Sequence, residues 1–271
     1  MSVGEIFSQI KEYIQGINPF VMYVILFFLG LYIFWRGCIE TRKNRSSVFD
    51  IYVLSALVSV IIGRVVYIIL AWDSVFSSYI WYWLPYERYG DKVYLFRLLP
   101  WKFFSIWDGG LIILAVFVSM LLSLTFFSLV VKKWKWEDMF FPIFFSSTGL
   151  LGFSFIYTGI TSGFNAWIYR GLILTAILII FYLLFHFISK IVKEPSHERY
   201  VLGYVGTLIV ILSSVYILSL YLSQSLTVLE NAFIGIFFVW SLTMSYFFIS
   251  DLRKARVKIQ SVSTVRSVRV G

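Results

Sequence analysis

Five side chains able to do chemistry stand within or at the edges of long apolar runs: Tyr23, Arg64, Asp108, Arg170 and Glu230. A charge at the centre of a bilayer costs roughly 2.5–3.5 kcal/mol on insertion scales, so each such group needs a partner or water and marks a candidate site. Arginine presents a planar fork of donors that can hold a phosphate through paired charge-assisted hydrogen bonds. Arg64 and Arg170 are therefore candidate lipid-phosphate holders. Asp108 and Glu230 are the carboxylates of the set and Tyr23 its phenol, and these three are the candidate catalytic groups. A structural ion pair between Arg64 and Glu230 is the competing expectation.

These groups can cooperate only if the elements carrying them bring them to one depth. Of the 271 residues, 60% are hydrophobic and 14% charged, with a mean hydropathy of +0.86. A soluble domain carries about a quarter charged residues, so the composition demands an integral membrane protein. A hydrocarbon core of about 30 Å takes roughly 20 apolar residues per helix. Seven stretches qualify, at residues 19–35, 50–72, 110–131, 139–160, 168–192, 201–223 and 226–250. The expected fold class is all-α, a polytopic protein with seven transmembrane helices.

The fourth stretch, rich in Ser, Gly and Thr, and the last two, separated by a turn as short as Gln224-Ser225, carry the weakest signal. Sixteen lysines and arginines fall in the linkers after the first, third and fifth spans and in the C-terminal tail, against six on the other side. The positive-inside rule then places the N-terminus outside and the C-terminus in the cytoplasm. With that orientation all five candidate groups fall in the outer third of their spans.

Residues 1–18 lack a basic n-region and read as an amphipathic surface segment, with Ile6, Phe7, Ile10, Tyr13, Ile14 and Ile17 at helical spacing, rather than as a cleavable signal. Residues 19–250 form the membrane domain. Within it, residues 73–109 hold thirteen aromatics interleaved with Arg88, Lys92, Arg97 and Lys102, the composition of an arm lying at headgroup depth on the outer leaflet. The basic residues 251–271 read as a mobile cytoplasmic tail bound loosely to anionic lipid.

The net charge of +9 sits in these loop blocks, so nucleic acid is not an expected partner. One cysteine, Cys38, forms no internal disulfide, and no His/Cys cluster has metal spacing. No metal and no cofactor is expected. Reversible acylation of Cys38, just inside the first span, is conceivable, although a bystander thiol is the plainer reading.

Three patches resemble the prolipoprotein diacylglyceryl transferase family, bacterial inner-membrane enzymes that move diacylglycerol from phosphatidylglycerol to a lipobox cysteine. Tyr23 stands seven residues before Gly30, like that family's Tyr-Gly-Leu segment; Gly63-Arg64-Val65-Val66-Tyr67 resembles its Gly-Arg-x-x-Tyr run, with Asp50 at the helix start; and Ile106-Trp107-Asp108-Gly109-Gly110 resembles its Trp-x-Gly-Gly. Asp138 and Tyr169 are fainter echoes. The resemblance implies a seven-helix fold with an outer-leaflet phosphatidylglycerol pocket, prolipoproteins as partners, and Gly63, Tyr67, Trp107, Gly109 and Gly110 as structural motif residues.

The departures fall on the reactive positions. Leu114 stands where the family has a histidine. Residues 149–157 (Gly149-Leu150-Leu151-Gly152-Phe153-Ser154-Phe155-Ile156-Tyr157) stand where it has Gly-Arg-x-Gly-Asn-Phe-x-Asn-Gly. Tyr169-Arg170 replaces a Tyr-Glu, and no charge remains in residues 212–221, where the family has an arginine. The expectation is a transferase-like protein that keeps the lipid site and has lost turnover. The alternatives are an active transferase with a rewired site and a small seven-helix transporter or receptor-like protein.

Overall fold

The computed structural model describes residues 9, 12–40, 43–73, 86–89, 92–95, 104, 106, 110–191, 195–222 and 227–268. Seven helices build the membrane domain: α1 (Pro19–Glu40), α2 (Arg45–Leu70), α3 (Ile113–Phe126), α4 (Trp136–Ser162), α5 (Asn165–Ile191), α6 (Pro195–Leu222) and α7 (Val228–Val268). Each contains a stretch long and apolar enough to cross a membrane. The protein is thus an all-α, seven-helix membrane protein. Helices satisfy every backbone polar group internally, which lipid requires. A short antiparallel hairpin, β1 (Tyr86–Tyr89) with β2 (Lys92–Leu95), lies within the aromatic arm and pairs Tyr86 with Leu95 and Tyr89 with Lys92. The rest of the arm apart from Asp73, Phe104 and Ile106 lies outside the described residues.

Local chemistry sets the helix ends. Asn18 accepts a hydrogen bond from the Phe20 backbone N–H at 2.8 Å, and Pro19 occupies the first helical position, where its missing N–H costs nothing. Asn44 caps α2 in the same way, through the Ser46 N–H at 3.1 Å. Gly163, in the left-handed region at φ +75°, ends α4. α3 continues through a π-helical turn, Phe127–Val131, before the chain reverses at Lys133.

α3 and α4 form the centre: 61% and 67% of their spanning windows are buried, against 17% in α1 and in α5. A central helix faces protein all round, so its sequence shows no single apolar stripe. Small side chains let its neighbours come close. Gly37 of α1 packs on Pro142 of α4, and Gly30 of α1 leaves room for the Tyr52 hydroxyl of α2 and for Leu150 of α4. Sparse polar bonds pin the bundle across helices. Ser146 Oγ donates to the Gly30 carbonyl at 2.9 Å, Trp240 Nε1 to Thr125 Oγ1 at 3.1 Å, and Trp136 Nε1 to the Met244 carbonyl at 3.1 Å, while Ser214 and Ser241 share a bond of 2.7 Å.

Both terminal segments carry helix among the described residues. The basic tail continues α7 as one helix to Val268, beyond the spanning window that ends at Ser250. Residues 251–268 contain neither Pro nor Gly. Extending an existing helix avoids the unfavourable nucleation step, so the turns propagate. At the other terminus residues 12–15 are helical, and Gln15 Nε2 donates to the Ile160 carbonyl near the end of α4 at 2.9 Å. Gln15 therefore ties the chain just before α1 to the bundle at the same end as the candidate groups.

Candidate functional site

α2 delivers Arg64 about 9 Å from its end at Leu70, and α1 delivers Tyr23 about 6 Å from its start at Pro19. Arg64 is 8% exposed and is the only charged side chain that is buried among the described residues. Its Nη1 donates to the Gly110 carbonyl at 3.0 Å, and its guanidinium lies 5.1 Å from the centroid of the Tyr67 ring, one turn along the same helix. Tyr23 stands within electrostatic reach of Arg64 and of Tyr157 on α4.

The glycines explain how this packing is possible. Gly110 has φ +80°, a conformation side chains resist, and a Cβ there would strike the Arg64 guanidinium and approach Tyr67 Cε1 to 2.6 Å. Gly63 lets α2 lie against the start of α3: a Cβ would run into Val116 Cγ2, and the Gly63 carbonyl accepts the Ile112 N–H at 3.4 Å. Two sequence patches 46 residues apart, one ending at Gly110 and the other built on Gly63, Arg64 and Tyr67, are thus joined at one place. Asp108, Trp107 and Gly109 lie outside the described residues.

Arg170 and Glu230 belong to a second group at the same end. The Arg170 guanidinium lies 4.9 Å from the Trp167 ring centroid and within electrostatic reach of Tyr216 and Tyr221 on α6; Glu230 is within reach of Tyr221. No ion pair joins Arg64 to Glu230. The Glu230 carboxylate instead accepts the Thr227 N–H at 3.0 Å and the Thr227 hydroxyl at 2.8 Å, and the Glu230 N–H returns a bond to Thr227 Oγ1 at 3.3 Å. This is a capping box closing the start of α7. Thr227-Val228-Leu229-Glu230 carries that signature in the sequence. The expectation of an Arg64–Glu230 pair is corrected: the carboxylate is occupied by its own helix start.

Tyr157, Tyr216, Tyr221 and Trp167 are the site residues that sequence reasoning passed over. Only Tyr157 had a signal, as the last residue of the run compared with the family's Gly-Arg-x-Gly-Asn segment. That run now has a structural explanation. Gly152 and Gly171 bring the α4 and α5 backbones together, since a Cβ on Gly171 would approach the Gly152 carbonyl to 2.5 Å and Ile156 N to 2.8 Å. Gly159 likewise sits against Ile168 and Trp167.

Leu114, at the family's histidine position, is 2% exposed within α3. Asp138 forms an ion pair of 2.8 Å with Lys43 at the opposite end of the bundle, and Tyr169 is exposed. Cys38 is 1% exposed and packed in the core, so its thiol is closed to acylation. Among the described residues no group of three or more His, Cys, Asp or Glu gathers as a metal site would require.

Comparison of the chain with protein-family models, with curated proteins and with solved structures finds no match.

Proposed function

We propose that this protein is a prolipoprotein diacylglyceryl transferase-like protein of the bacterial inner membrane that binds phosphatidylglycerol in the outer leaflet and is catalytically degenerate. The observation that carries the reading is the junction of Arg64, Tyr67 and Gly110, where two of the three patches that resemble the family meet in one partly buried contact. One edge of the Arg64 fork is committed to the Gly110 carbonyl. The resemblance assigns this guanidinium the holding of a lipid phosphate at that depth. Arg170, stacked on Trp167, is the second cation of this end.

Turnover would require a thiol to lose its proton and attack the glyceryl carbon while glycerol phosphate departs with the bonding electrons. A free thiol with a pKa near 8.5 is only a few per cent ionised at neutral pH, so a base is needed. A leucine stands at the histidine position, and the Glu230 carboxylate already accepts two hydrogen bonds from Thr227. Both facts favour binding without transfer.

An active, rewired transferase is favoured by one observation, the Tyr23 phenol within electrostatic reach of Arg64 and Tyr157, from which a proton would pass to the departing phosphate. One experiment separates the readings. The purified protein in phosphatidylglycerol vesicles is given a lipobox peptide, and both lipid binding and thioether formation are measured. Binding that is lost in Arg64→Ala, with no thioether formed by the wild type, supports the proposal. Thioether formation abolished by Arg64→Ala supports the rewired enzyme, and no binding at all defeats both.

A further inference from the structure

On the cytoplasmic half of the bundle, as the charge asymmetry orients it, α1 and α2 diverge and leave a groove of about 560 Å³ lined by Phe28, Leu31, Tyr32, Trp35, Phe49, Ser46 and Arg45. Phe28, Leu31, Tyr32 and Trp35 follow helical spacing along one face of α1 over about 10 Å of rise. Phe28, Tyr32 and Phe49 are more than half exposed, so the groove opens sideways toward lipid rather than into the core. Its polar end is a different environment. Arg45 begins α2, is exposed and makes no ion pair or side-chain hydrogen bond among the described residues, and Ser46 follows it. Two further cations stand nearby: Lys132 Nζ reaches Ser47 Oγ at 3.4 Å, and Lys43 lies 5.7 Å from the Trp134 ring centroid while pairing with Asp138.

We infer that this groove seats an anionic glycerophospholipid of the inner leaflet, its acyl chain along the α1 aromatics and its phosphate on Arg45 and the Ser46 hydroxyl. Charge complementarity selects the occupant. The apolar walls alone would accept any acyl chain, but a guanidinium without a counter-charge among the described residues, at the start of a helix whose dipole is positive there, discriminates for a phosphate bearing net negative charge. Trp35 lies at the depth where an indole sits between chain and headgroup. The site is independent of the outer one, being on the other leaflet and using a different arginine.

The test uses the full chain in nanodiscs containing equal phosphatidylglycerol and phosphatidylcholine with identical acyl chains. A benzophenone photo-crosslinker replaces Tyr32, and adducts are identified by mass. The same probe in place of Leu57, on the lipid-facing side of α2, reports the bulk ratio. The expected result is an enrichment of phosphatidylglycerol of about fivefold at position 32, the order that one basic residue supplies near a membrane surface, and parity at position 57. Arg45→Gln should return position 32 to parity, whereas Arg64→Gln should leave it enriched. Parity in the wild-type background, enrichment that survives Arg45→Gln, or an adduct of two protein chains would each overturn the inference. A failure of the outer-leaflet reading would leave these ratios untouched.

Discussion

Two glycines of positive φ among the described residues offer an internal comparison that tests whether Arg64 is held as described. Gly110 (φ +80°) and Gly163 (φ +75°) share a backbone conformation, but a Cβ at Gly163 meets nothing within 4 Å, whereas one at Gly110 strikes the Arg64 guanidinium and the Tyr67 ring. Alanine in the left-handed region costs about 1–2 kcal/mol. Gly163→Ala should therefore lose about that much. Gly110→Ala should lose the same and, by pushing the guanidinium off the Gly110 carbonyl, a further ~1.5–3 kcal/mol for a hydrogen bond from a charged donor.

Unfolding by dodecyl sulfate titration from mixed micelles would read both variants against the wild type, and a fluorescent phosphatidylglycerol would read lipid binding. Displacing the guanidinium should also weaken phosphatidylglycerol binding by about tenfold or more, equivalent to ~1.4 kcal/mol, while Gly163→Ala binds as the wild type. If the two variants were equally stable and bound lipid equally, the contact between Arg64 and Gly110 would not organise the site.

Arg64→Lys keeps the charge but loses the fork, and phosphatidylglycerol binding measured in the same assay should fall by about tenfold. Glu230→Ala should cost about 1 kcal/mol through the lost cap, whereas Glu230→Gln, which retains a capping-box side chain, should match the wild type in both stability and binding; a thioether-forming activity lost in Glu230→Gln alone would instead identify the carboxylate as a base. Gly171→Val forces the α4 and α5 backbones apart and should destabilise by about 1–3 kcal/mol in the same titration. In a Cys38→Ala background, a cysteine replacing Phe164 should react with impermeant maleimide on intact cells and one replacing Lys135 only after permeabilisation, as the charge asymmetry requires.

The fourth span shows why a membrane helix can read weakly from sequence and still be the centre of its fold. Its Ser146, Ser147, Thr148, Gly149 and Gly152 dilute the hydropathy, yet all five are buried, because close packing against α1 and α5 needs small side chains. Hydropathy measures transfer to lipid, and this helix contacts protein. Glu230 shows the opposite error. Its position near the apolar start of α7 looked functional, but a local motif four residues long accounts for its hydrogen bonds.

Composition and periodicity alone determined the membrane class, the number of spans and the residues worth watching, because the cost of burying charge and the thickness of the bilayer act on each segment separately. Helix rotation and neighbour choice depend on contacts between segments far apart in the chain, and these only the tertiary structure decided. It joined Arg64 to Gly110, grouped Arg170 with the α6 tyrosines, separated Glu230 from Arg64, and turned the glycines of α4 into a packing seam.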